Sequence, residues 1–235
     1  HDLSLVEAGI SLPQEMDKLQ RCISPTEWVL THLGEAHLGN FEDTRHLAQE
    51  KCRLFHACNR VFMPASLLPE VQHLLECPAV TWGLDGQAPH ADLQATATGR
   101  PGTFQLTWNG ACTQVQLGMH DDVSLHNALT ASLVALHHGA TLADLASQWP
   151  MLKPVSGRLS SVKRPQGGVL LQDDTSHDFG ALGVALQRLV GLNDDLPRVA
   201  IVGDVPQSGL EDSARAQKLG AYLQRARCEQ AWVWC

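Results

Sequence analysis

Glu7, His37 and Lys51 are the residues whose types and spacing first suggest chemistry. A carboxylate and a neutral imidazole brought together can hold a divalent cation. A hydrogen-bonded glutamate and a turn histidine account for the same two residues without any ion. Lys51 follows His37 by 14 residues, towards the end of a helical stretch. Taken alone it reads as an exposed helix lysine, the usual place for that side chain.

The elements needed to position these residues can be read from periodicity. Leu3 to Val6 is a short apolar run ending in Glu7-Ala8-Gly9, which predicts a buried parallel strand with Glu7 at its carboxyl end. Pro13 to Ile23 predicts a helix, with Met16, Leu19 and Ile23 on one face. Trp28 to Leu33 predicts a second strand, stopped by Gly34 and followed by His37 in the turn. Two such parallel strands would put Glu7 and His37 at the same carboxyl edge, where ligands of open α/β sheets bind. Phe41 to Phe55 predicts the helix that carries Lys51, Val61 to Met63 a third strand, and Ser66 to Glu76 a helix N-capped by Ser66.

Beyond Val80 the pattern changes. Thr103 to Trp108 and Ala111 to Leu117 alternate around Asn109-Gly110, the sequence of a type I′ hairpin. Leu125 to His138 predicts a helix with Leu125, Leu129, Leu133 and Leu136 on one side. Thr141 with Asp144 forms a capping box for the next helix, through Trp149. The prolines and glycine of 150–157 mark a boundary, giving domains 1–152 and 153–235. Strands at Val169–Leu171, Arg198–Val202 and Ala231–Trp234 then alternate with helices at Gly180–Val190 and Asp212–Ala226. That is a Rossmann-like α/β unit without the G-x-G-x-x-G dinucleotide fingerprint.

Composition narrows the function classes. Formal charge is −8, spread along the chain, which argues against a nucleic-acid groove or an anionic membrane surface. No apolar run is long enough to cross a bilayer. Seven cysteines without C-x-x-C spacing read as free thiols of a reducing cytoplasm, and the twelve scattered histidines do not make a zinc pattern. Both ends are strand-like runs, so a piece of a longer chain is expected.

In order, the motifs resemble those of the Mur ligases, from Leu3 to Trp234. VEAG at Val6 to Gly9 and GEAHLGNF at Gly34 to Phe41 are similar to the family's magnesium-binding glutamate and histidine. Lys51 stands at the spacing of the family's carbamylated lysine. HNALTA at His126 to Ala131 resembles N-A-L-A-A, which gives Asn127 an adenine contact. The family's preceding His-Asn pair is replaced here by Val123 and Ser124. KPVSGRL at Lys153 to Leu159 resembles P-V-P-G-R-L, with Arg158 on the nucleotide phosphates. QDDTSHD at Gln172 to Asp178 resembles D-D-S-Y-N-A-N, with Asp174 on the ribose. Its Tyr-Asn reads Ser176-His177, which leaves the acceptor-amine contacts open. VAIVGDVPQSG at Val199 to Gly209 resembles V-L-G-D-M-x-E-L-G, where Asp204 otherwise reads as a turn residue.

The resemblance implies an α/β fold: a truncated parallel-sheet central domain with a β-hairpin region, then part of a Rossmann-like C-terminal domain. It implies a cytoplasmic ATP- and Mg²⁺-dependent amide ligase, of the branch that adds D-alanyl-D-alanine to a UDP-MurNAc-tripeptide. GIS-x-x-x-EM at Gly9 to Met16 and GALGVAL at Gly180 to Leu186 resemble the form fused to an alanine racemase. The family's phosphate loop G-x-x-G-K-[ST] would precede the VEAG strand, so these 235 residues alone are expected to bind ATP poorly. The departures at Val123-Ser124 and Ser176-His177 keep a non-catalytic binding module as an alternative, and the related folylpolyglutamate synthetases are another.

Overall fold

The computed structural model describes residues 3–34, 37–56, 58–119, 121–165, 167–175, 178–192, 196–205 and 208–234. Ser176 and His177, the departure noted above, lie outside the described residues. The chain divides into two compact units, His1–Leu33 with Arg45–Lys153, and Gly34–Thr44 with Pro154–Cys235. The segment Gly34–Thr44, which includes His37, thus groups with the second unit.

The first unit contains α1 (Glu15–Ile23), β1 (Glu27–Val29), α2 (Thr44–Cys52), β2 (Arg60–Pro64) and the one-turn α3 (Leu68–Val71). It continues with β3 (Ala79–Leu84), β4 (Leu93–Ala97), β5 (Thr103–Trp108), β6 (Ala111–Gln116), α4 (Asp122–His137) and α5 (Leu142–Gln148). The six strands form one sheet in chain order. Pairs from β1 to β4 are parallel; β4–β5 and β5–β6 are antiparallel. The β5–β6 turn follows the sequence, with Asn109 at φ 48° and Gly110 at φ 79°.

Period-2 burial on a two-sided sheet explains β2. Phe62 faces a cluster with Trp82, Leu93, Leu106, Leu129, Leu133 and Trp149. Val61 and Met63 face the opposite cluster, with Leu30, Leu33, Phe55 and Val71. The leucine stripe of α4 is buried as its spacing predicts. Asp121 N-caps that helix by accepting from the Ser124 N–H at 2.7 Å. Thr141 and Asp144 form the expected capping box of α5.

Two tryptophans are tied to α4 by buried hydrogen bonds. The Trp82 indole donates to Thr130 Oγ1 at 2.9 Å, and the Trp149 indole to Ser132 Oγ at 2.8 Å. Thr130→Val keeps the volume and removes the acceptor. It should cost about 1–3 kcal/mol, the penalty for a buried donor left unpaired. Urea unfolding checks this, and an unchanged midpoint would show that the indole finds another acceptor.

Several sequence expectations are corrected. Leu3 to Val6 forms no strand: Leu3 and Leu5 are 68% and 89% exposed. The sheet begins at β1, and none of the described strands pairs with that run. A strand exists only through its ladder, and without one an apolar run gains nothing from being extended. Glu7 therefore stands in irregular, exposed chain and not at a strand's end. The Trp28–Leu33 strand is shortened to Glu27–Val29, although the Leu30 N–H still donates to Phe62 O at 2.9 Å. The Phe41–Phe55 helix runs as α2 only from Thr44, finishing in a 3₁₀ turn at Arg53–Phe55. Ser66 caps nothing: it sits in a 3₁₀ turn before α3, whose first turn holds Pro69.

The second unit contains β7 (Ser160–Lys163), β8 (Val169–Gln172), α6 (Phe179–Val190), β9 (Val199–Val202), α7 (Asp212–Arg225) and β10 (Gln230–Val233). β7 and β8 form an antiparallel hairpin, and β9 and β10 pair in parallel. Phe179, Ala200, Val202, Val205 and Leu219 form its core. Asp178 caps α6 through the Ala181 N–H at 2.9 Å.

Candidate nucleotide and cation site

Lys51 differs most from its sequence-level reading. It lies on the last turn of α2 and is half-buried, with Nζ donating to the backbone oxygen of Leu33. Burial lowers its pKa from the ordinary lysine value, with the Cys52 sulfur opposing. The Cys52 thiol is itself pushed up to about 12, by burial first, so it stays protonated at neutral pH. Burial thus favours the neutral amine relative to an exposed lysine.

The residue before it was missed by sequence reasoning. Glu50 is 1% exposed. Its Oε2 accepts from the Gln14 N–H at 2.7 Å, and its Oε1 pairs with Arg53 Nε at 2.8 Å. Arg53 reaches on to Asp17 of α1 at 2.6 Å. Glu15 accepts from the Ser11 and Leu12 N–H groups at 2.6 and 2.8 Å. Two carboxylates thus order the loop that follows Glu7, and one of them adjoins Lys51. In the sequence Gln49-Glu50-Lys51 looks like a solvated helix face, and no local signal marks Glu50 as buried.

Glu7 is exposed. His37 is half-buried in the second unit, at φ 62°, leading a 3₁₀ turn at Leu38–Asn40, and its carbonyl accepts from the Asn40 N–H at 2.9 Å. Among the described residues no three His, Cys, Asp or Glu side chains gather as a ready metal site. Lys51 as an amine offers a hard cation no oxygen, and only carbamylation would make it a ligand for one. The modification replaces a cationic amine by an anionic oxygen ligand.

In the second unit, Arg158 and Asp174 come together. Ser160 pairs with Gln172 at the open end of the β7–β8 hairpin, so the chain just before β7 meets the chain just after β8. The Asp174 N–H donates to Gly157 O at 3.0 Å, and Thr175 Oγ1 donates to the same oxygen at 3.1 Å. A Cβ on Gly157 would fall 2.3 Å from Asp174 Oδ1, which would have to turn away, and φ +73° favours glycine in the turn before Arg158. Asp174 also accepts from Gln172 Nε2 at 2.6 Å. The neighbouring Asp173 has its carboxyl pKa raised by burial, opposed by the Leu159 N–H and by Arg158. Asp173 is a further candidate that the motif did not single out. Asp204 follows β9 and holds its own loop, accepting from the Val205 N–H and pairing with Arg215 at 3.3 Å, as a turn residue does.

Asn127 is exposed in α4, next to His126, whose ring lies 5.0 Å from that of Trp82. Burial lowers the His126 pKa, with Asp122 acting the other way. A 350 Å³ cleft opens beside the start of α4, walled by Phe104, Leu117, Met119 and Leu125, with Asp121 and Asp122 also lining it.

A mostly parallel sheet clad by helices, with a half-buried lysine on the helix after its first strand, and a separate unit of alternating strands and helices define a protein of the α/β class. More narrowly, a family model described as the Mur ligase middle domain matches residues 1–135, and the chain belongs to the Mur ligase family. It is 25% identical over 236 residues to the UDP-N-acetylmuramoyl-tripeptide–D-alanyl-D-alanine ligase of Escherichia coli (strain K12), covering 96% of this chain and 51% of that protein. It is 21% identical to the ligase of the same name from Bacillus subtilis (strain 168), covering 99% and 51%. The chain thus spans about half the length of these curated relatives. Among solved structures it is similar in fold to MurF from Acinetobacter baumannii, with TM-score 0.77 and 19% identity over 96% of this chain and 50% of that one. It is similar as well to MurF ligase from Thermotoga maritima in complex with ADP, with TM-score 0.71 and 18% identity over 96% and 56%. Among the described residues no helix is long and apolar enough to cross a membrane.

Proposed function

We propose that this chain supplies the lysine-bearing middle part and the following α/β unit of an ATP-dependent amide ligase acting on peptidoglycan precursors. Residues 1–152 correspond to the central domain and 153–235 to part of the C-terminal one. The substrates are a UDP-MurNAc-tripeptide and D-alanyl-D-alanine, as the names of the relatives indicate. The tripeptide carboxylate takes the γ-phosphoryl group of ATP and ADP leaves. The dipeptide amine then attacks the acyl phosphate and releases phosphate. The work is cytoplasmic, where ATP and the nucleotide-linked precursor are found. The observation that carries the reading is Lys51: a half-buried amine with a lowered pKa, at the family's spacing from His37.

Glu7, His37 and carbamylated Lys51 would hold Mg²⁺, which when bound neutralises charge on the phosphoryl oxygens. Arg158 offers fixed, always-charged donors to the nucleotide phosphates. Asp174, held by Gly157 and Gln172, offers a carboxylate to the ribose hydroxyls. Asn127, exposed on α4, offers its amide to adenine. Relatives that are D-alanyl-D-alanine ligases over nearly the whole chain weigh against the folylpolyglutamate alternative. The runs Gly9–Met16 and Gly180–Leu186, similar to those of the ligase form fused to an alanine racemase, favour such a fusion in the full-length protein, testable as alanine racemisation by that protein.

Calorimetric titration of the 235-residue chain with ATP and Mg²⁺ separates the contribution of this part from that of a phosphate loop. Binding weaker than micromolar is expected, because the backbone N–H cradle that such a loop provides is missing from this sequence. Micromolar affinity would show that these residues bind the nucleotide on their own, and the phosphate-loop argument would fall.

A further inference from the structure

Gly39 and Gly209 meet backbone to backbone. A Cβ built on Gly39 would lie 2.7 Å from Gly209 Cα and 3.1 Å from its nitrogen. A Cβ built on Gly209 would lie 2.6 Å from Gly39 Cα and 2.9 Å from its nitrogen. Both obstacles are main chain, so no rotamer change relieves either clash. Gly209 also sits at φ +66°, which disfavours any side chain. Each glycine is therefore required by the other.

Gly39 is central to the turn that His37 leads. The Asn40 N–H donates to His37 O at 2.9 Å and the Phe41 N–H to Leu38 O at 3.0 Å, so 37–41 is one hydrogen-bonded piece. Phe41 anchors its far end, 8% exposed. Gly209 lies between β9 and α7, next to Ser208, whose N–H donates to the oxygen of buried Val205 at 3.3 Å. Reading Val199 to Gly209 as a strand and turn leaves Gly209 unexplained.

We propose that Gly209 is a positioning residue for His37. Gly209 is the seat on which the His37 turn rests, and its bare Cα sets the depth at which the imidazole is held. The link to cation binding rests on the reading of His37 as a magnesium ligand.

The test uses the 235-residue chain and NMR. In the wild type, a cross-relaxation peak between the Hα protons of Gly39 and Gly209 is expected, and its absence would overturn the contact itself. Mn²⁺ serves as the probe ion in place of Mg²⁺. It should broaden the His37 ring signals in the wild type. In Gly209→Ala the same signals should shift, and broadening should need at least tenfold more Mn²⁺. Gly220→Ala in α7, whose Cβ meets nothing within 4 Å, should match the wild type. Unshifted His37 signals and unchanged Mn²⁺ response in folded Gly209→Ala would refute the positioning role. Wild-type His37 signals blind to Mn²⁺, but displaced by Gly209→Ala, would uphold positioning and instead remove the metal-ligand reading. Should Gly209→Ala fail to fold, the wild-type Hα contact still decides the interlock.

Discussion

Lys51→Ala, placed in an active ligase that carries this chain, is expected to lower kcat by roughly 10²–10³-fold, the loss typical of removing one preorganised charge-stabilising group. The amine is neutral more readily than a surface lysine because burial penalises its charged form. Only the neutral amine takes up carbon dioxide, and only the resulting carbamate offers oxygen to a hard cation. Under the proposed function, alanine removes a cation ligand but leaves the space it filled. A small carboxylate such as acetate should therefore restore part of the rate, and substrate KM should change less than kcat. Full activity in Lys51→Ala would show that the lysine merely fills space beside the Leu33 carbonyl.

Phe62→Ala should be the most damaging simple truncation in the first unit, costing about 3–5 kcal/mol. Phe62 has no exposed surface, stands in the sheet between two parallel neighbours, and packs edge-on against His137 at 5.2 Å. Its ring joins the sheet to α4, the helix that bears Asn127. The total stability of a domain is only about 5–15 kcal/mol, so this single change removes a large share. The measurement is the denaturant midpoint of the first unit, followed by near-ultraviolet circular dichroism of Trp82 and Trp149. A loss below about 1 kcal/mol would mean that α4 can settle onto the vacated space, contrary to a close-packed core.

What the sequence revealed was local. Asn109-Gly110 requires two positive φ values, Thr141-x-x-Asp144 caps its own helix, and the α4 leucines recur at helical spacing, so each could be read without its neighbours. β3 and β4 were not seen. Gly83 breaks the alternation because its bare Cα lies against Ala88 and Ala91 of the connection between them, a contact between separate segments. Leu3 to Val6 failed for the reverse reason: an apolar run states a preference, but a strand needs a ladder. The site divides the same way. Lys51 and His37 were visible through spacing and motif, as were Arg158 and Asp174. Glu50, Asp173 and Gly209 were hidden, because burial of a carboxylate and contact between two glycines depend on chain brought in from elsewhere.

Carbamylation of Lys51 can be observed directly by ¹³C NMR of the 235-residue chain in labelled bicarbonate. A carbamate carbon resonance is expected in the wild type and not in Lys51→Ala. Because burial depresses the pKa of the amine, the neutral form appears at lower pH than for an exposed lysine. The resonance should therefore grow as pH rises through that lowered pKa. A spectrum with no Lys51-dependent carbamate signal at any pH would contradict the account.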